Sequence, residues 1–220
     1  KLKVESIQVY CIDRKKIPTI QKEAANNILY TNNIEDLLKT KYLFISSPND
    51  THFEYIKKFV SNDRYIYCEK TPCINHKELN YLKKLPLKYK SKIYFNFNYL
   101  KSNVFESVKK EFKNKSNGQL INISIYASHG LFFKNNFKNN WRINGKNIFD
   151  NIIGNLGIHY INFILNLTKI KKITKIKKNN FSKKGLDTGL IYLELSNSAS
   201  AQIFLSYASV ASKEIKIYFT

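Results

Sequence analysis

Lys70 follows Glu69 directly after a short apolar stretch, Tyr65 to Cys68. A strand that ends in Glu-Lys sends both charges out of the sheet at its carboxyl end. An ammonium there can stabilise negative charge developing on a substrate hydroxyl. A second group lies on one helical stripe: Asn151, Asn155, His159, Asn162 and Asn166, at i, i+4, i+8, i+11 and i+15. An imidazole titrates near pH 6.5 and can move a proton at working pH. A polar stripe on an otherwise apolar helix equally describes a solvated face, and spacing alone leaves both readings open. The third group is the run Ser46-Ser47-Pro48-Asn49-Asp50-Thr51-His52. Pro48 lacks a donor and leads the chain over a sheet edge, into a helix N-terminus that favours negative groups. A simple turn with a helix cap explains the same residues. Finally, Asp13 closes the first apolar run, beside Arg14. It is either an acceptor for a ribose or the Asp of a turn. No G-x-G-x-x-G occurs in the chain.

These residues need elements to hold them. Short β-type runs alternate with helical ones through the first two-fifths of the chain. Strands are predicted at Val4 to Ile12, Ile28 to Thr31, Tyr42 to Ser46, Tyr65 to Cys68 and Lys92 to Asn98. Helices are predicted at Ile17 to Asn27, Ile34 to Thr40, Thr51 to Ser61 and His76 to Leu85, the third opened by a Thr51/Glu54 capping box. Such alternation means βαβ crossovers and a parallel sheet. After Tyr99 the pattern changes: helix Ser102 to Phe112, strand Leu120 to Ala127, an aromatic, Asn-rich loop through Trp141, and a helix from about Phe149 to Leu167. Strands then follow at 173–178, 189–195, 199–207 and 214–219. The reading is an α/β protein. Residues 1–98 read as a parallel α/β domain, and residues 99–220 as an α+β domain with an open, mainly antiparallel sheet.

Composition limits the alternatives. The chain has 220 residues and 43% hydrophobic content, enough for a packed core. Its net charge of +21 comes almost wholly from Lys, since Arg14, Arg64 and Arg142 are the only arginines. Nucleic-acid readers lean on Arg for bidentate contacts, and these lysines are scattered except near 169–184, so a solvated basic surface is expected rather than a nucleic-acid partner. No apolar run reaches the roughly 20 residues of a membrane span, so neither membrane nor signal segment is expected and the protein is placed in the cytoplasm. Three cysteines without CxxC spacing argue against a disulfide scaffold, and no metal site is expected. Methionine is absent, from which the chain is expected to begin inside a longer protein.

Taken together the motifs resemble the Gfo/Idh/MocA family of sugar oxidoreductases. The resemblance rests on Ser47-Pro48-Asn49 with His52, Glu69-Lys70 with Pro72, and Phe97-Asn98-Tyr99. It continues through Trp141-Arg142, the run Gly157 to Asn162, and Asp187-Thr188. It spans essentially the whole chain in the family's order, and it implies that residues 1–98 are a Rossmann-type dinucleotide-binding domain whose first βα unit is missing and that residues 99–220 are an α+β substrate and oligomerisation domain. It implies that Asp13, with Arg14, binds the ribose of NAD or NADP, NAD being favoured because a carboxylate repels a 2′-phosphate. Ser46, Ser47, Pro48, Asn49 and His52 would border the cofactor, and Glu69, Lys70 and Pro72 would lie near its nicotinamide end. Lys70, Asn98, Trp141, Arg142, Asn155 and His159 would face a sugar, cyclitol or nucleotide-sugar substrate, with Lys70, Asn155 and His159 as the catalytic group. A homo-oligomer through the open sheet face is also implied. Four features depart from the pattern, the first being Phe149-Asp150-Asn151 where a glycine run usually precedes the helix. Thr71 stands where Pro usually follows the lysine, Asn155 stands where Asp usually precedes the histidine by four, and Asn162 occupies the HxxD position. An amide takes no proton at neutral pH, so a binder with impaired turnover is the alternative.

Overall fold

The computed structural model describes residues 7–10, 28–31, 33–61, 63–134, 137, 150–183 and 185–220. The predicted helix at 17–27 and the site candidates Asp13, Arg14, Trp141 and Arg142 lie outside the described residues. Strands β1 (Ile7–Tyr10) and β2 (Ile28–Thr31) pair in parallel. A second parallel sheet has the order β3 (Tyr42–Ile45), β4 (Tyr65–Glu69), β5 (Ile93–Asn96). The alternation in β3 and β4 puts Leu43, Ile45, Ile66 and Cys68 on one face. There they pack with Ile56 and Phe59 of helix α1 (His52–Phe59). Helices α2 (His76–Lys84) and α3 (Leu87–Lys90) lie between β4 and β5.

The amino end of this sheet is held by one arginine. Arg64 is buried and donates to three backbone carbonyls: Thr40 at 2.8 Å, Phe59 at 2.9 Å and Leu38. It thus ties the 3₁₀ turn Ile34–Lys39, the end of α1 and the start of β4. A lysine could not reach three such acceptors from one planar group.

The expected Thr51/Glu54 capping box is not formed. Thr51 already has helical angles, because Pro48 starts a 3₁₀ turn at Asn49–Thr51. Its hydroxyl therefore turns back to the Pro48 carbonyl, at 2.8 Å, and to Ser47 Oγ, at 2.6 Å. The capping arrangement occurs at α2 instead. Asn75 Oδ1 accepts from the Glu78 N–H at 2.9 Å, and Glu78 Oε2 accepts from the Ile74 N–H at 2.8 Å.

The rest of the chain builds a five-stranded sheet of order β10-β6-β9-β8-β7, from β6 (Leu120–Ser128), β7 (Ile170–Asn179), β8 (Thr188–Leu195), β9 (Ser200–Ser206) and β10 (Ser212–Phe219). Helix α4 (Asn103–Lys113) is capped by Ser102, which accepts from the Phe105 N–H at 3.2 Å. Three of the four pairings are antiparallel and β6–β9 is parallel, so the sheet is mixed, as a mainly antiparallel reading allows. Ile123, Ile125, Ile191, Leu193, Ile203 and Leu205 face a covering helix, while Tyr126, Tyr192 and Phe204 point to the open side.

That covering helix is not a regular one. It runs as a π turn over Ile153–Gly157 and then as α5 (Ile158–Leu165). Asn151 caps it, its Oδ1 accepting from the N–H groups of Ile153, at 2.9 Å, and Gly154, at 3.1 Å. The expectation of one α-helix from Phe149 is corrected here among the described residues. A π turn winds fewer degrees per residue and shifts the stripe that uniform 3.6-residue spacing predicts. Two glycines let the helix sit close to the sheet. A Cβ on Gly157 would lie 2.8 Å from Leu205 Cδ1, and one on Gly189 of β8 would lie 2.7 Å from Ile153 Cγ1. Gly189→Ala is therefore expected to lower unfolding stability by about 1–3 kcal/mol in urea titrations, as overpacking does. An unchanged midpoint would mean that the helix has room to move away.

Candidate active site

The loops after β3 and β4 both leave the parallel sheet at its carboxyl end, where open α/β sheets bind ligands. His52 ties them together. It is fully buried, with Nδ1 2.8 Å from the Thr71 carbonyl oxygen and Nε2 2.7 Å from that of Ser47. Both ring nitrogens are thus engaged by backbone, so His52 acts on the crevice by bracing its two walls. The Lys70–Thr71 peptide is cis. Beside it, Asn96 of β5 donates to Glu69 and accepts from the Tyr67 hydroxyl at 2.8 Å, which fixes the Glu69 carboxylate against the neighbouring strand.

Lys70 crosses from this sheet to the helix over the mixed sheet. Its Nζ donates to Asn155 Oδ1, and to the Asn155 carbonyl at 3.3 Å. The amide has a second partner: Asn155 Nδ2 donates to the hydroxyl of Tyr207, at 3.0 Å. An ammonium can only donate, so Oδ1 must face Lys70 and Nδ2 must face Tyr207. Tyr207 and Asn155 are both buried, which makes this orientation costly to reverse. His159 lies one turn further along, also buried. Tyr99 stacks on its ring, with centroids 4.8 Å apart and planes at 26°, and Phe97 meets its edge at 6.4 Å. The stripe therefore turns inward at Asn155 and His159, while Asn166 is exposed.

Electrostatics set the state of His159. Burial, and next the Lys70 ammonium, push its imidazole down to about 4; Lys213 and His129 add to this and Glu69 opposes it. The ring is neutral at pH 7 and can accept a proton. The two described cysteines have no such role. Burial, with help from Glu69, pushes the Cys68 thiol up to about 12, and burial with Glu78 raises Cys73.

The structure brings together Lys70, Asn155 and His159, with Glu69 and Pro72 on the same loop. Ser46, Ser47, Pro48 and Asn49 form the adjoining one. Asn98 is exposed at the start of the 3₁₀ turn Asn98–Lys101, where its neighbour Tyr99 meets His159. Tyr99 and Tyr207 are the residues that sequence reasoning missed as site components. Tyr99 is the third residue of the Phe97-Asn98-Tyr99 motif, of which only Asn98 was given a role, but nothing local marks Tyr207, which reaches the site only through sheet register. Three buried polar atoms in this region have no hydrogen-bond partner: Asn49 Nδ2, Thr71 Oγ1 and His159 Nδ1. Left so, each carries a desolvation cost. They are the kind of atoms that a bound nucleotide and its substrate would satisfy, so the residues present fit a dinucleotide at these loops. Among the described residues no cluster of His, Cys, Asp and Glu could hold a metal ion, and no helix is long and apolar enough to cross a membrane.

The fold is thus a Rossmann-like parallel α/β unit joined to a mixed-sheet unit, with the candidate site where the two meet. Residues 2–97 match the oxidoreductase family's NAD-binding Rossmann fold, and residues 105–220 match the GFO/IDH/MocA C-terminal domain. The chain belongs to the Gfo/Idh/MocA oxidoreductase family. No curated protein matches it. Among solved structures, it is similar to a putative NADPH-dependent oxidoreductase from Desulfitobacterium hafniense. The identity is 20% and the TM-score 0.81, over 100% of this chain and 63% of that one. It is also similar to myo-inositol 2-dehydrogenase from Lactobacillus plantarum, at 17% identity and a TM-score of 0.81, over 97% of this chain and 66% of that one. A third is an oxidoreductase from Agrobacterium radiobacter in complex with NAD+, L-tartaric acid and magnesium. Here the values are 14% and 0.81, over 97% of this chain and 64% of that one. The chain thus spans about two thirds of the length of these structures.

The sign of the His159 shift gives a stability prediction. Its folded pKa lies below the unfolded value of 6.5, so between about pH 6.5 and 4 the unfolded state binds more protons. Stability is full above about 6.5 and falls as pH drops through that window, by at most about 3 kcal/mol from this group. His159→Gln should flatten that part of the profile in denaturant titrations at several pH values. A profile of unchanged slope would contradict the assignment.

Proposed function

We propose that the protein transfers a hydride between a nicotinamide cofactor and the carbon bearing a hydroxyl of a sugar, cyclitol or nucleotide-sugar. The observation that carries this reading is the meeting of Lys70 with Asn155 beside neutral His159, at the carboxyl ends of a parallel sheet. Residues 1–98 would hold the dinucleotide and residues 99–220 would supply the substrate wall. Bound NAD or NADP would supply the hydride acceptor at its nicotinamide ring. Asn49, Thr71 and the loop from Ser46 to Pro48 would hold it, with Asp13 and Arg14 at its ribose. Lys70 would donate from Nζ to the substrate oxygen and stabilise the negative charge that develops there. His159 would accept the hydroxyl proton on its neutral ring. Asn155 would hold Lys70 in reach, and its amide would orient the substrate rather than take a proton. Trp141, Arg142 and Asn98 would complete the substrate side.

A second reading rests on Asn155. An imidazole held down to about 4 is a weak base, and an amide at 155 supplies no carboxylate to stabilise the imidazolium. A protein that binds cofactor or sugar with little turnover has this chemistry. The open sheet face is the proposed homo-oligomer surface. Tyr126 and Phe204 stack there at 4.8 Å beside Tyr192. Phe204→Lys would then reduce the mass seen in analytical ultracentrifugation; a wild-type monomer would rule the surface out.

The test is a screen of sugars, cyclitols and nucleotide-sugars with full-length protein, following NAD and NADP reduction in parallel. Lys70→Ala should abolish turnover and leave the fold intact. His159→Ala should cost about 10²–10⁴-fold. Asn155→Asp should raise kcat and move the acid limb of the pH profile upward, because a carboxylate favours the imidazolium. NAD should be preferred through Asp13. Unchanged turnover in Lys70→Ala would contradict the mechanism. No gain in Asn155→Asp would favour the binder, and a preference for NADP of about tenfold would remove Asp13 from its role.

A further inference from the structure

Tyr99 sits on the turn that leads out of the parallel-sheet unit, and three elements determine where its ring lies. Its face stacks on His159 at 4.8 Å. Tyr160, the next residue after His159, packs against it edge-on at 5.3 Å. On its far side, Lys213 of β10 donates from Nζ to the Tyr99 hydroxyl at 3.2 Å, and the same ammonium lies 5.4 Å from the ring centroid.

An apolar pocket gives an imidazole no preferred rotation about its own axis. A parallel aromatic stack does, because offset faces attract while other angles lose contact. The direction in which the His159 ring nitrogens point, Nδ1 among them with no partner in the protein, is therefore set by the plane of Tyr99. That plane is set in turn by a hydroxyl anchored to a different sheet. We propose that Tyr99, tethered by Lys213, is a positioning residue for His159, holding the imidazole in one plane. This rests on the reading of His159 as the group that moves the proton. The groups facing His159 are Lys70 and Glu69 from the end of β4, His129 from the loop after β6, Lys213 from β10, and the phenols of Tyr99 and Tyr160. Of the two cations, Lys70 belongs to the reacting centre. Lys213 is exposed and can be removed without touching that centre.

Three variants separate stack from tether. Tyr99→Phe keeps the ring and loses the hydroxyl; Tyr99→Leu keeps bulk and loses the stack; Lys213→Met removes only the ammonium. The readout is the ring-nitrogen titration of His159 in full-length protein labelled with ¹⁵N-histidine. The chain has four histidines, and His159→Gln identifies the signal. Lys213→Met should raise the His159 midpoint by roughly half a pH unit, an effect that added salt reduces. Tyr99→Phe should alter the tautomer balance by freeing the plane. Tyr99→Leu should do both and, with a substrate from the screen, lower kcat about tenfold with KM for the cofactor unchanged. If folded Tyr99→Leu titrates with the wild-type midpoint and tautomer, the proposal is overturned. If Tyr99→Leu shifts the titration while Tyr99→Phe and Lys213→Met do not, the tether is overturned. Shifts as expected in a protein that turns over no substrate would support the positioning and count against the functional reading alone.

Discussion

One hydrogen bond joins the two halves of the site: the Lys70 ammonium on the side-chain oxygen of Asn155. Lys70 leaves the carboxyl end of a parallel strand, and Asn155 sits in a π turn on a helix that covers a different sheet. Neither half contains the site alone. Several features serve this contact. Asn151 caps the helix, Gly157 and Gly189 let it approach the sheet, and Tyr207 receives the other end of the amide. With both ends of the amide committed, Lys70 cannot drift toward solvent without leaving buried polar groups unpaired. His159 then occupies the next turn, near a fixed positive charge and inside an aromatic wall, and both circumstances favour its neutral form.

The amide at 155 is the chemical peculiarity of the site. A carboxylate in its place would form an ion pair with Lys70 and raise the His159 pKa, giving a stronger base. An amide keeps the geometric link and gives up the charge. The contact therefore stands as structure, without the negative charge that would favour an imidazolium at position 159.

Much of this was legible in the sequence because it is local. Short apolar runs marked β3 and β4, alternation marked β6, β8 and β9, and the Glu69-Lys70 pair at a strand end marked the crevice. What escaped was non-local or broke regular spacing. Thr51 looked like a cap, but Pro48 had already begun a helical turn ahead of it. The stripe from Asn151 to Asn166 assumed an unbroken α-helix, and the π turn altered where each residue points. The partners of Asn155 and His159, namely Tyr207, Tyr99 and Lys213, come from distant strands and turns that no spacing rule connects. Arg64, one of three arginines in a lysine-rich chain, proved to be a buried backbone brace.

The claim on which the rest stands is that Lys70 and Asn155 are energetically coupled across the two sheets. A double-mutant cycle in urea, using Lys70→Met, Asn155→Leu and the pair, measures this without any knowledge of substrate. The account predicts a coupling of about 1–3 kcal/mol, as for a hydrogen bond to a charged group in a partly buried setting. Additive effects, with a coupling indistinguishable from zero, would contradict it.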